Sequence, residues 1–268
     1  MLDDLAQAIA EKRAILFVGA GISARLGVPT WHQLICHIGE ELGYDHEIFA
    51  APDANYLTLA EYYKLKKRTI RPLTEWMAKE WNVPETKLRE SRVHNLLVSL
   101  DFPIIYTTNY DHNLENAFQY LDRGFTKIVD VKDIAKITAN ETQIVKFHGD
   151  INDYKSIVLT ETDYFSRLSF EAPLDIKLRS DVLAKTVLFI GYSLADLNVR
   201  LLLHKLWRTW STSGHGKNQP KSYIFLLRPD PVQKAVLAQW NIQVITEDVN
   251  NPADTLITFL ERLQKKVA

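Results

Sequence analysis

The chain has 268 residues, 46% of them hydrophobic and 24% charged, with 32 Lys and Arg against 33 Asp and Glu. That size and balance suit one soluble α/β domain with a large buried core and exclude disordered and fibrous chains. A formal charge of −1 provides no global field to gather nucleic acid or an acidic membrane, so direct nucleic-acid binding is not expected.

Cys36 is the only cysteine, which excludes an internal disulfide and any zinc site needing two or more thiolates. The N-terminal stretch Met1-Leu2-Asp3-Asp4-Leu5 is acidic where a signal peptide is basic, and no run of about 18 apolar residues follows. A cytoplasmic location without a membrane span is the expectation. Internal repeats and low-complexity tracts are not found.

In chain order, Leu5, Ile9 and the alanines between them predict a short helix. Ala14–Val18 is a compact apolar run of the kind a buried strand shows. After Gly19-Ala20-Gly21-Ile22-Ser23 the chain turns helical, and Thr30 is placed to cap a helix through Trp31, Leu34, Ile35, Ile38 and Leu42. From Gly43 to Arg92 only helical spacing recurs, in Tyr56–Leu65 and Pro72–Trp81, so 43–92 reads as a helical insertion in a single domain spanning 1–268. Strands are then expected at Pro103–Tyr106, Gln143–Phe147, Thr186–Ile190, Tyr223–Leu227 and Ile242–Ile245. Helices alternate with them at Asp111–Tyr120, Leu174–Ala184, Leu197–Trp210, Pro231–Trp240 and Ala253–Lys265, with a loop at Ser211–Gln219. Such alternation implies crossover connections and an α/β parallel sheet with helices on both faces.

Ligands of such sheets bind beyond the carboxyl ends of the strands, at the switch point, so the strand exits are where chemistry is to be sought. The first exit, Gly19-Ala20-Gly21, allows a tight turn and a close approach of backbone to a phosphate. It equally fits a plain strand-to-helix turn. Gly19-Ala20-Gly21-Ile22-Ser23-Ala24 also satisfies the dehydrogenase fingerprint, but the acids near the expected offset, Glu40 and Glu41, lie in helical periodicity and not on a second strand. The second exit is Thr107-Thr108-Asn109-Tyr110-Asp111. Asp111 reads as a helix N-cap, which leaves Asn109 unexplained. The third exit, His148-Gly149-Asp150, places an imidazole where a buried strand leaves the core, a position that structural histidines also occupy. The fourth is Gly191-Tyr192-Ser193-Leu194-Ala195-Asp196.

Taken in order, Gly19-Ala20-Gly21-Ile22-Ser23, Thr108-Asn109-Tyr110-Asp111, His148-Gly149 and Gly191-Tyr192-Ser193-Leu194 resemble the motif series of the sirtuin superfamily. The similarity spans about residues 15–205 and is greatest to the bacterial sirtuin-like NAD hydrolases of anti-phage defence. That resemblance implies a Rossmann-like fold with a smaller inserted module and NAD as substrate, with Gly19, Ala20, Gly21, Ile22 and Ser23 at the pyrophosphate and adjacent ribose. It implies that Asn109 positions a water or ribose hydroxyl near C1′ and that Asp111 holds the carboxamide. His148 would accept a proton from, or orient, a ribose hydroxyl, and Gly191, Tyr192 and Ser193 would line the adenosine side. It further implies regulation through a homo-oligomer or a separate sensor or ATPase-type defence protein, since the chain holds little beyond a catalytic domain.

Departures from the deacylase pattern favour water as the acceptor. Gly27-Val28-Pro29-Thr30-Trp31-His32 lacks the acid and arginine that sirtuin deacylases carry there, and no cysteine lies between His148 and Gly191 to build their zinc module. A non-catalytic NAD- or ADP-ribose-binding scaffold is the alternative, with a deacylase behind it. His32, His37 and His46 match no metal spacing and are expected on helix surfaces. Lys64, Lys66, Lys67, Arg68 and Arg71 read as a solvated helix face. Leu197, Leu201, Leu202, Leu203, Leu206, Trp207 and Trp210 cover more than one helix face, enough for core packing and a subunit contact.

Overall fold

The computed structural model describes residues 1–44, 55–167, 171–192, 197–247 and 252–268, without the side chains of 197, 198, 202, 252 and 253. Among the described residues seven strands form one parallel sheet: β1 (Ala14–Val18), β2 (Ile104–Thr107), β3 (Phe125–Ile128), β4 (Thr142–Lys146), β5 (Thr186–Ile190), β6 (Ser222–Phe225) and β7 (Ile242–Ile245). Their order across the sheet is β3-β4-β2-β1-β5-β6-β7. Every pairing is parallel. The chain leaves β1 toward one edge and returns to its other side as β5, so the switch point lies between β1 and β5.

The central strand explains its own apolar run, because all five of its residues are buried. Ala14, Leu16 and Val18 face one layer of helices: α1 (Leu2–Ala10), α7 (Arg92–Ser99), α8 (Asn113–Tyr120) and α14 (Pro252–Val267). Ile15 and Phe17 face the other: α11 (Pro173–Leu183), α12 (Leu197–Thr212) and α13 (Pro231–Gln239). Phe17 stacks between its register neighbours Tyr106 and Phe189, at 5.6 and 5.2 Å between ring centroids. Each such buried ring or aliphatic side chain contributes about 1.5–3 kcal/mol.

Short α2 (Ala20–Ala24) follows β1, and α3 (Trp31–Glu41) begins at the predicted cap. Gln33 N–H donates to Thr30 Oγ1 at 3.4 Å, and Thr30 N–H donates to Gln33 Oε1 at 2.8 Å. Beyond α3 come α4 (Tyr56–Lys67), α5 (Arg71–Glu80) and α6 (Glu85–Arg89). Leu34, Ile35 and Ile38 pack with Ala60, Tyr63, Leu73 and Met77 in a third core, separate from the two that sandwich the sheet. No helix of the described residues is long and apolar enough to cross a membrane.

Several sequence expectations change. Strand β3, followed by the short helix α9 (Val131–Ile134), is not evident in the sequence, because Lys127 interrupts its apolar character and an edge strand with one neighbour needs little burial. The helix after β2 begins at Asn113 with His112 at the cap position, so Asp111 is not its N-cap. Instead Asp111 Oδ1 accepts the Asn113 N–H at 3.0 Å, an Asx-type turn ahead of the helix. The α12 helix runs through Thr212, into the predicted loop. Its Val199 and Leu203 are buried against the sheet, and Trp207 and Trp210 are half-buried. His37 is stacked on Trp76 at 3.7 Å and not displayed on a helix surface. His46 lies outside the described residues. Within the basic run, Lys64 pairs with Asp163, Lys67 with Glu41 and Arg71 with Glu75.

Candidate functional site

The exits of β1 and β5 are built on each other. Gly19 N–H donates to Ile190 O at 2.9 Å, and Gly21 N–H donates to Gly191 O at 3.0 Å. A Cβ on Gly19 would lie 2.4 Å from Gly191 O and 2.6 Å from the Tyr192 ring. Gly191 has φ +68°, and its own Cβ would meet Ile22 Cγ1 at 2.7 Å. The glycines are therefore required by backbone packed on backbone, before any ligand is considered. Ile22 N–H donates to Gly19 O at 3.1 Å and Ile22 is buried in the core. Of this motif, Ala20 and Ser23 reach the cavity surface, while Gly19, Gly21 and Ile22 hold the turn in shape. Ser193 lies outside the described residues.

At the β2 exit, Thr107 Oγ1 donates to Val18 O at 2.9 Å and accepts the Asn109 N–H at 3.0 Å. Asn109 is 6% exposed. Its Nδ2 donates to Ser23 Oγ at 3.1 Å and to Gly19 O at 3.3 Å, tying the β2 exit to the β1 exit. Its Oδ1 is buried with no hydrogen-bond partner among the described residues, an arrangement that native structures rarely leave without a purpose. The Thr108 and Tyr192 hydroxyls lie 2.5 Å apart and bridge to the β5 exit.

His148 leaves the end of β4 and is 2% exposed. Gly149 follows at φ +95°, where a Cβ would fall 2.3 Å from Ser156 O, so the returning loop needs glycine there. That loop accepts and returns bonds: Val158 N–H donates to His148 O at 2.9 Å, and Tyr110 OH donates to Val158 O at 2.7 Å. Phe147 stacks on the imidazole at 5.7 Å, and Tyr164 meets it edge-on at 5.3 Å.

These exits share one cavity of about 360 Å³. The sheet side supplies Ala20, Ser23, Thr108, Asn109, Asp111, His148, Gly191 and Tyr192. Across from them stand Val28, Pro29, Trp31, Leu57, Trp81 and Tyr164. Sequence reasoning missed this second wall, since an aromatic at helical spacing looks the same whether it faces core or cavity. Near Asp111, burial pushes the His94 pKa down to about 4, against the pull of the Asp111 carboxylate and with the repulsion of Arg25. His94 is thus a neutral imidazole at neutral pH, with Ser91 Oγ at 2.8 Å from Nδ1.

Behind the site lies a buried ion network. Among the described residues, the ligand atoms of His112, Glu115 and Asp150 come within 4.8 Å of one another. Two lysines already stand on these carboxylates, with Lys127 Nζ at 2.6 Å from Asp150 and Lys146 Nζ at 3.2 Å from Glu115. Lys146 is fully buried and also donates to Asp111 O, so this network braces the residue that follows Asn109 and Tyr110. Burial alone would raise the Asp150 pKa, but hydrogen bonds from His112, Lys127 and the Asn152 N–H, with the Lys146 charge, hold it well below the usual carboxylate range. A depressed folded-state pKa means stability that is fully present above the unfolded value of about 3.9 and lost as pH falls through the folded one. Asp150→Asn should therefore cost about 3–5 kcal/mol near pH 7. The wild-type-minus-variant difference in urea stability should hold above about pH 5 and shrink below about pH 4. A difference independent of pH would contradict the assignment.

A parallel sheet with its switch point flanked by glycine turns and polar exits defines a protein of the Rossmann-like α/β class. The chain matches the family described as SIR2-like domain over residues 103–245, and it belongs to that family. It is 30% identical over 206 residues to "NAD(+) hydrolase ThsA" of Enterococcus faecium, covering 76% of this chain and 42% of the relative. It is 26% identical over 289 residues to the protein of the same name from Bacillus cereus (strain MSX-D12), covering 99% and 57%. "Defense-associated sirtuin 2" of Bacillus subtilis is 25% identical over 232 residues, covering 84% and 22%. The chain thus spans about half, or less, of the length of the curated relatives it matches. Among solved structures, a Sir2 homologue in complex with NAD superposes with a TM-score of 0.51 at 14% identity, covering 98% of this chain and 94% of that one, which is a likeness of fold.

Proposed function

We propose that this protein hydrolyses NAD to nicotinamide and ADP-ribose and that it serves as the NAD-depleting effector of an anti-phage defence system. The observation that carries this reading is the meeting of Asn109 and His148, from adjacent strands β2 and β4, on one cavity at the switch point. Support also comes from the relatives named as NAD(+) hydrolases. The cavity, of about 360 Å³, stands at the lower end of small-molecule sites.

The chemistry asks little acid catalysis of the protein. When the C1′–N bond breaks, its electron pair passes to the pyridinium nitrogen and nicotinamide leaves neutral. The sugar left behind resembles an oxocarbenium ion, which water captures at C1′ with loss of a proton. Asn109 Oδ1 accepts from that water or from a ribose hydroxyl, and His148 receives or relays the proton. Asp111 holds the carboxamide, while Gly19, Ala20, Gly21, Ile22 and Ser23 shape the pyrophosphate and ribose end. Gly191, Tyr192 and Ser193 line the adenosine side. In this reading 43–92 is a helical insertion into one domain of 1–268, and the enzyme acts in the cytoplasm. Unchecked NAD loss would harm the host, so activity is held in check through a homo-oligomer or a separate sensor or ATPase-type partner.

Purified protein incubated with NAD, with and without an acetylated peptide, tests this. Nicotinamide and ADP-ribose should appear in equal amounts, independent of the peptide and undiminished by EDTA. Binding of NAD without turnover would identify a scaffold, peptide-dependent turnover a deacylase, and zinc-restored activity after chelation a metal-dependent reaction.

A further inference from the structure

We infer that Tyr164 is a positioning residue for His148, holding the imidazole in the tautomer that carries its proton on Nδ1. What His148 then does rests on the hydrolase reading above, but the placement does not. The Tyr164 hydroxyl lies 3.5 Å from His148 Nδ1, and the two rings meet edge-to-face at 71°. A tyrosine hydroxyl both donates and accepts, so Nδ1–H can donate to it while Nε2 keeps its lone pair. That lone pair is what a ribose hydroxyl needs in order to hand over a proton. A contact of 3.5 Å is long, and such contacts at active sites tighten when substrate closes on them.

The elements around Tyr164 are built to hold it there. Its helix, α10 (Glu161–Ser166), opens with a capping box in which Asp163 N–H donates to Thr160 Oγ1 and Thr160 N–H donates to Asp163 Oδ2, at 3.3 and 3.0 Å. Three polar contacts pin that first turn to α4: Thr58 to Glu161 at 3.2 Å, Lys64 to Asp163 at 3.0 Å, and Thr162 N–H to Glu61 at 2.9 Å. At the other end, Arg167 lies 4.0 Å over the Phe147 ring, donates to Phe147 O and pairs with buried Asp175. One short helix is thus fastened at its start to the helical segment and at its end to the residue preceding His148. Tyr164 points from between these anchors onto the imidazole and the cavity, whereas its neighbour Phe165 is 56% exposed.

Tyr164→Phe keeps the ring and removes only the hydroxyl, so it separates packing from positioning. The expected result is an unchanged melting temperature, KM within about twofold, and kcat lower by roughly tenfold. In the same protein without NAD, the ring nitrogens of ¹⁵N-labelled His148 should shift away from the Nδ1–H tautomer. A His148 spectrum identical to wild type overturns the inference, whether or not kcat falls. A wild-type protein that does not cleave NAD, yet whose His148 tautomer still moves in Tyr164→Phe, sustains the positioning role and sinks the hydrolase reading.

Discussion

His148→Ala should fold, retain NAD binding and release nicotinamide about 10²–10⁴-fold more slowly than wild type, the usual range for a general base. The imidazole touches the cavity but is otherwise enclosed, with Phe147 stacked on it and Tyr164 at its edge. Truncation therefore also removes packing and should lower stability by about 1–3 kcal/mol. The two effects are separable because rate is counted per folded molecule. A histidine that merely packs the strand end would give the stability loss with turnover unchanged, and that outcome would remove it from the mechanism. Melting temperature, NAD affinity and nicotinamide release on one preparation decide the matter.

Asn109→Ala should lose at least about 10²-fold in kcat, the cost of a misplaced nucleophile, with a smaller effect on KM. From sequence alone the side chain looks dispensable for folding, since a polar residue at a ligand edge covers little core. The structure amends this, because Nδ2 joins Ser23 Oγ and Gly19 O and thereby ties two strand exits together. Losing those bonds should cost about 1–3 kcal/mol. Asn109→Asp sharpens the test: it replaces the donor with an acceptor facing Gly19 O, so that bond is lost, while the Ser23 hydroxyl can donate in the reverse direction and an oxygen remains for water. Nicotinamide release at wild-type speed by folded Asn109→Ala would end the assignment.

Features written in short stretches of chain were legible in the sequence. The all-buried run Ala14–Val18, the Thr30 capping box and the alternation of strands and helices depend on local period and cap chemistry. Four polar exits in a parallel sheet must lie along one edge, so Asn109 and His148 could be brought together before any coordinates. Tertiary structure decided what depends on partners far away in the chain. Lys127 sits mid-strand because Asp150 waits 23 positions later, and Lys146 is buried because Glu115 and the Asp111 carbonyl receive its charge. The reason for Gly19 is Gly191, whose carbonyl occupies the space of a Cβ. Trp81 reads as an ordinary helical aromatic until packing turns it to the cavity, and Tyr164 lies on a short helix that the sequence pattern does not reveal. A charge or a ring becomes interpretable only when its compensating neighbour is known, because burial is tolerated through contacts that local sequence does not contain.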